Sequence, residues 1–187
     1  IDDNRSGPVY REAREKWLAL SAQAARLRAE SYSTPLVFPD EVKEMPQILE
    51  RETLAYRARK LAVDEHIAAM ERSLAALSRE ISLTAPLVNE GVVSEVELLR
   101  LKRQLADLMG QIVERRNRYL TDANNELIRV EAELSQTKEN ALAREDAYKR
   151  TVIRAPMKGV VKNVQVNTIG GVIQAGQSIL EIVPVDD

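Results

Sequence analysis

The chain has no cysteine. That removes disulfide scaffolds, thiol catalysis and cysteine-ligated zinc. It suits an envelope or extracellular protein that avoids oxidisable thiols, and it equally suits a cytosolic one. Aromatic residues are scarce, with one Trp, one Phe and five Tyr making up 4% of the 187 residues. An ordinary globular core carries more. Neither sign of charge is in excess: 27 Lys and Arg stand against 29 Asp and Glu, a formal net charge of -2. A dedicated nucleic-acid binder would show a basic surplus. No apolar run approaches the roughly 18–20 residues of a membrane span. The chain opens at Ile1 with neither an initiator Met nor a signal peptide, and so reads as a piece of something longer. What is abundant is Ala, Leu, Glu and Arg, with 30% charged residues. That composition points to long helices or a coiled coil.

Glycine and proline divide the chain. Between residues 9 and 150 the only glycines are Gly91 and Gly110, and the prolines are Pro35, Pro39, Pro46 and Pro86. After residue 155, Pro156, Gly159, Gly170, Gly171, Gly176 and Pro184 crowd a stretch rich in Val and Ile. Residues 1–150 therefore read as helical and 151–187 as short strands and turns.

A first helix is expected over about 8–30, with Ser6 or Gly7 as cap and Pro8 in the first turn, where its missing N–H costs nothing. Trp17, Leu20, Ala24 and Leu27 form one stripe. Residues 31–45 read as a loop, because each proline biases its predecessor away from helix. A second helix is expected over about 46–83. Its Val63, Ile67, Met70, Leu74, Leu77 and Ile81 make a heptad seam, and Pro86 ends the helix or bends its last turn. Asn89-Glu90-Gly91 signals a turn, with Gly91 free to take positive φ. A third helix is expected over about 94–150. Ser94 and Glu97 have the spacing of a capping box. Leu98, Leu101, Leu105, Leu108 and Ile112 form one heptad run; Leu120, Ala123, Leu127, Val130, Leu134, Thr137, Ala141 and Tyr148 form another. The step from Ile112 to Leu120 is one longer than a heptad and acts as a stutter. At 1.5 Å per residue the third helix spans roughly 85 Å, so the first two helices, end to end, can run antiparallel along it. The expected fold is mainly α: a long antiparallel coiled-coil hairpin with one arm split in two and a tip at 84–94. Both open ends would then lie together, far from that tip.

The final segment carries Ala155-Pro156-Met157-Lys158-Gly159-Val160-Val161, then Gly170-Gly171, Gly176 and Leu180-Glu181-Ile182-Val183-Pro184. This resembles one half of a lipoyl (biotinyl-like) flattened β-barrel. Directly after a helical hairpin, such a half-motif resembles the HlyD family of membrane fusion proteins, the periplasmic adaptors of type I secretion systems. The opening Ile1-Asp2-Asp3-Asn4-Arg5, the tip Leu87-Val88-Asn89-Glu90-Gly91-Val92-Val93-Ser94 and the return Val152-Ile153-Arg154-Ala155-Pro156 are similar to that family's. The resemblance implies a hairpin domain over 1–150 and the second half of a lipoyl-like β domain over 151–187. It implies a periplasmic region of an inner-membrane-anchored protein in a Gram-negative envelope. Its partners would be an ABC transporter, a TolC-like outer-membrane channel, a secreted protein cargo and further copies of the chain, six in the assembled ring. The implied channel contact is the tip: Leu87, Glu90, Gly91, Val92, Val93 and Ser94. Related drug-efflux adaptors carry Arg, Leu and Ser there; Leu87 and Ser94 match two of these, and Leu83 stands at the Arg position. An efflux adaptor of the same architecture is the alternative function, but the interrupted first arm favours the secretion branch.

No catalytic, metal or cofactor site is expected. Lys158 after Met157 invites a biotinyl-lysine reading, and a biotin or lipoate carrier is the remaining alternative. However, Gly159 follows where an attachment site would have a second Met. His66 is the only histidine and lacks partners at ligand spacing. Arg72, Arg79, Glu114, Arg115 and Arg116 read as solvated helix faces. Val92 and Val93 are apolar where a turn should be polar, which suggests a partner; otherwise they only close the hairpin end.

Overall fold

The structure, a computed structural model, describes residues 3–184 other than 167, 169, 172 and 175. The expected opening segment at Ile1 and Asp2 lies outside the described residues, as do those four positions of the carboxyl-terminal motif. Two compact units are present, one of residues 16–137 and one combining 1–15 with 138–187.

Three long helices carry the first of these units. They are α1 (Asp3–Ser31), α2 (Pro46–Asn89) and α3 (Glu95–Lys149). Helix α1 begins ahead of the expected start, leaving Pro8 inside it. A proline there removes a single i→i−4 bond close to the helix end, so the helix tolerates it. The α1 stripe is also split between two neighbours. Leu20, Ala24 and Leu27 pack with Ala123, Leu127 and Val130 of α3. Trp17 instead joins Leu18 and Ala22 on a different face. A helix crowded on both sides needs small side chains, and Ala22, Ala24, Ala25 and Ala29 are all buried.

The expected loop over 31–45 contains a short 3₁₀ turn, Asp40–Glu44. Its Val42 is fully buried against Leu18 and Ala22, with Phe38, Met45, Ile48 and Leu49 around it. The connector is therefore anchored by an apolar plug. Helix α2 starts at Pro46, in the first turn. Val63 and Ile67 are buried with Ile112 of α3, and Met70, Leu74 and Tyr119 flank them. Leu77 and Ile81 are half-buried, as a two-helix seam dictates, since each side chain has a partner on one side and solvent on the other.

Along α3 the buried positions change partner. Ile112 and Tyr119 face α2, whereas Ala123, Leu127 and Val130 face α1. From Tyr119 to Ala123 to Leu127 two four-residue steps follow one another. The stutter thus sits where α3 passes from one helix to the other, and the extra turn reorients the seam.

In the unit combining 1–15 with 138–187, Tyr10 and Tyr148 stack with centroids 5.5 Å apart, and Ala141 is buried. The strands β1 (Gly159–Lys162) and β2 (Glu181–Pro184) pair antiparallel, Gly159 opposite Pro184. The Gln165 N–H donates to the Ile179 carbonyl at 2.9 Å and prolongs the pairing. A Cβ at Gly159 would lie 2.4 Å from the Val183 carbonyl oxygen, so the close approach requires glycine. Val160 and Val161 are 53% and 52% exposed; both faces of β1 are open.

Candidate functional site

The hairpin tip is built by a helix stop and a helix start. Helix α2 does not end near Leu83 but continues through Pro86 to Asn89. Pro86 deprives only the Ser82 carbonyl of its ladder partner, near a solvated end. In that last stretch the Ser82 hydroxyl donates to the Arg79 carbonyl at 2.7 Å and the Thr84 hydroxyl to the Glu80 carbonyl at 2.8 Å. The stop itself is a Schellman motif. Val92 N–H donates to the Leu87 carbonyl at 2.9 Å, Gly91 N–H to the Val88 carbonyl at 3.0 Å, and Gly91 has φ +75°. These bonds satisfy carbonyls that the helix end would leave free.

The start of α3 follows at once. Val96 N–H donates to the Ser94 hydroxyl oxygen at 3.3 Å, the bond of an N-cap. The reciprocal half of the capping box is not made. Glu97 instead accepts from Arg100 Nε at 3.0 Å, which draws its carboxyl below the ordinary value. An arginine one turn on competes better than a backbone N–H for a carboxylate, because both partners are charged.

The turn therefore brings Leu87, Glu90, Gly91, Val92, Val93 and Ser94 into one short rigid connection. Val92 is 69% exposed and Leu87 39%, whereas Val93 is half-buried. Glu90, Gly91 and Ser94 are exposed. Three further apolar residues stand exposed at this end: Leu83, Val96 and Leu99. Sequence reasoning did not assign the last two to the site. Their signal was available, since both lie off the Leu98–Leu101–Leu105 seam and cannot face α2. The exposed apolar cluster can bury area against a partner.

A second constellation lies where α1, α2 and α3 meet. Arg26 Nη1 contacts Glu30 and its Nε contacts Glu52, each at 2.9 Å, with Glu126 at 3.6 Å from Nη2. Arg59 Nη1 reaches Glu126 at 3.0 Å, and Gln23 donates to the same carboxylate at 3.2 Å. Arg26, Glu30 and Glu52 are all buried. Burial pushes the Arg26 guanidinium down, but the hydrogen bonds to Glu52 and Glu30 outweigh it and the net shift is upward. Burial likewise pushes the Glu126 carboxyl up; the hydrogen bond and charge of Arg59, with Gln23 and Arg26, bring it below the ordinary value. Nothing in the sequence separated these charges from the solvated ones.

Among the described residues no group of three or more His, Asp or Glu is placed to hold a metal ion. His66 is exposed, beside Met70, Gln111 and Glu114. Lys158 is exposed in the bend before β1. Among the described residues no helix is long and apolar enough to cross a membrane.

No protein-family model matches the chain. Curated proteins do. The type I secretion system membrane fusion protein PrsE of Rhizobium meliloti (strain 1021) is 26% identical over 137 residues, covering 62% of this chain and 31% of its own length. Leukotoxin secretion protein D of Mannheimia haemolytica is 28% identical over 137 residues, covering 71% of this chain and 25% of its own. The proteases secretion protein PrtE of Dickeya chrysanthemi is 27% identical over 133 residues, covering 60% and 30%. The chain thus spans about a third or less of the length of these relatives. Among solved structures, the soluble domain of LipC, a membrane fusion protein of a type I secretion system, matches at a TM-score of 0.53 with 16% identity. That match covers 83% of this chain and 96% of the LipC domain. In sequence the chain is similar to the membrane fusion proteins of type I secretion systems, and in fold it resembles the soluble domain of one of them.

Proposed function

We propose that the chain is the periplasmic hairpin portion of a type I secretion adaptor, a non-enzymatic protein. It links an inner-membrane ABC transporter to a TolC-like outer-membrane channel in a Gram-negative envelope. The observation that carries this reading is the tip. A rigid turn holds Leu87 and Val92 in solvent, supported by Leu83, Val96 and Leu99. Apolar side chains held outward by a Schellman turn and an N-cap are costly unless a partner covers them. The secretion names of the relatives give that partner a class, and they do not favour a drug-efflux role.

Two further parts belong to the same reading. Residues 151–187 are the second half of a lipoyl-like domain, and the open faces of Val160, Val161 and Val183 are where the first half packs. Copies of the chain assemble, six to a ring, around the path of a secreted protein. Exposed Leu99, Ala106, Met109 and Val113 on α3, away from the α2 seam, suit such side-by-side contact.

The test is secretion by the full-length parent carrying Val92→Asp with Ser94→Asp. Cargo export should be lost while the purified chain keeps its helical circular dichroism. Normal export from that variant overturns the tip contact. A photoreactive residue at Val92 that captures only sibling copies in the secreting cell overturns it too.

A further inference from the structure

Both arms of the hairpin carry a second apolar period on the side away from their shared seam. On α2 it is Ala69, Ala76 and Leu83; on α3 it is Leu99, Ala106 and Val113. Each set recurs at heptad spacing, and all of these residues are exposed. The two sets are also level with one another. Both arms are continuous helices rising about 1.5 Å per residue, so residues equally far from Gly91 in sequence stand at about the same height. By that count Leu83 is level with Leu99, Ala76 with Ala106 and Ala69 with Val113. Across the seam, Ile67 packs with Ile112 and Arg59 reaches Glu126, each within a turn of the same count. Gly110 lies on the α3 edge between Ala106 and Val113, level with Arg72 on the α2 edge. A glycine inside a helix weakens it relative to alanine. The φ of Gly110 is not positive, and a Cβ there would meet nothing within 4 Å, so neither the backbone nor internal packing calls for glycine. What it leaves is a notch in an exposed edge. Asp107 and Glu114 flank the notch, about one turn to either side, and both are exposed. Glu114 pairs with Arg118 at 2.8 Å; Asp107, like Arg72, has no ion-pair partner among the described residues.

We propose that this notch receives the Arg72 side chain of a neighbouring copy, whose guanidinium donates to Asp107 and Glu114. The contact rests on the side-by-side assembly proposed above and gives it a register. The outer edge of α2 in one copy meets the outer edge of α3 in the next, at equal height and with both tips at the same end. A guanidinium carries several donors in a rigid fork, which suits two carboxylates set on either side of it. The missing Cβ lets its stem lie close against the helix backbone. Arg79 and Arg103 also stand level, a like pair that Asp107, about a turn from each, offsets. The two edges are different surfaces, so the contact is heterologous and closes as a ring rather than as a pair.

Disulfide trapping in secreting cells tests this, because the chain has no cysteine of its own and any elsewhere in the full-length parent can be replaced. Ala69→Cys and Val113→Cys in the same chain should link neighbouring copies into a reducible ladder. Both positions face away from the seam, so they cannot link within one chain. Neither single variant should link, because like edges do not meet. Ala76→Cys with Val113→Cys is a heptad out of register, about 10 Å in height, which is too far to bridge, and should stay unlinked. Gly110→Leu fills the notch while favouring helix. It should cut the in-register link by at least about tenfold and impair export, with the helicity of the purified chain kept. Arg72→Glu should do the same, whereas Arg72→Lys should retain part of the link. An in-register pair that fails to link, or that links no better than the out-of-register pair, overturns the proposal. So does a link untouched by Gly110→Leu and Arg72→Glu. A lysine-reactive cross-linker on the same cells separates two kinds of failure: sibling capture without the disulfide overturns the register alone, and no sibling capture overturns the assembly with it.

Discussion

Arg26→Met removes the cation on which the three-helix junction depends. In the intact junction Arg26, Arg51 and Arg59 face Glu30, Glu52 and Glu126, three positive charges against three negative. Without Arg26 two remain against three. Glu30 and Glu52 cannot turn to water, because their side chains are 0% and 8% exposed. Glu126 is 32% exposed and partly hydrated, so its share is discounted. Removing one partner of a buried pair costs about 3–5 kcal/mol. For a chain of this size that lowers the melting temperature by about 6–20 °C. Urea unfolding of the 187-residue chain, followed by helical circular dichroism, reads the cost directly. The triple variant Arg26→Met, Glu30→Gln, Glu52→Gln removes the stranded charges together and should recover most of the loss. A loss below about 1 kcal/mol for Arg26→Met, or a triple variant no more stable than the single one, refutes the reasoning.

Two other outcomes follow from the geometry. Gly91→Ala meets open space but must hold φ +75°, so it should lower stability by about 1 kcal/mol through backbone strain alone, with Gly91→Asn less harmful; urea midpoints compare them. Stability should also depend on pH at both extremes. Glu126 is depressed in the folded chain, so its contribution is present above the unfolded value of 4.5 and is lost as pH falls through the folded one. Tyr119 is raised to about 12 from 10.0. Its contribution is full below 10 and disappears as pH rises from 10 towards 12, because the unfolded chain ionises first. In Tyr119→Phe the alkaline slope should flatten, as seen in unfolding titrations.

Periodicity made the seams legible. Leu101, Ile112, Ala123, Leu127, Val130, Thr137 and Ala141 recur at helical spacing and all are buried. Ser94 and Gly91 were legible for a different reason: a cap and a left-handed stop each demand a narrow set of residues. The junction was not legible. Arg26 and Glu30 have the spacing of an ordinary exposed i,i+4 pair, and only long-range folding, which brings Glu52 of α2 and Glu126 of α3 to Arg26, marks them out as buried. Val42 was hidden because an isolated apolar residue between prolines has no period. The end of α2 was misplaced because proline was weighed as a stop, whereas at an exposed final turn its cost is one bond. At the tip, Val96 and Leu99 were not legible as site residues because they lie beside the heptad seam and so carry no part of its period.

The uninterrupted pairing of α2 with α3 from Val63 to the tip works as a measuring rod with angular graduations. Taking seven residues from each arm between Met70 and Ile81 and at the matching stretch of α3 would draw the tip back by about 10 Å while preserving its facing. Taking a number that is not a multiple of seven would swing Leu87 and Val92 round the axis by about 100° for each residue out of phase. Reach and bearing are thus inscribed in the same count of residues, and only whole heptads alter one without the other.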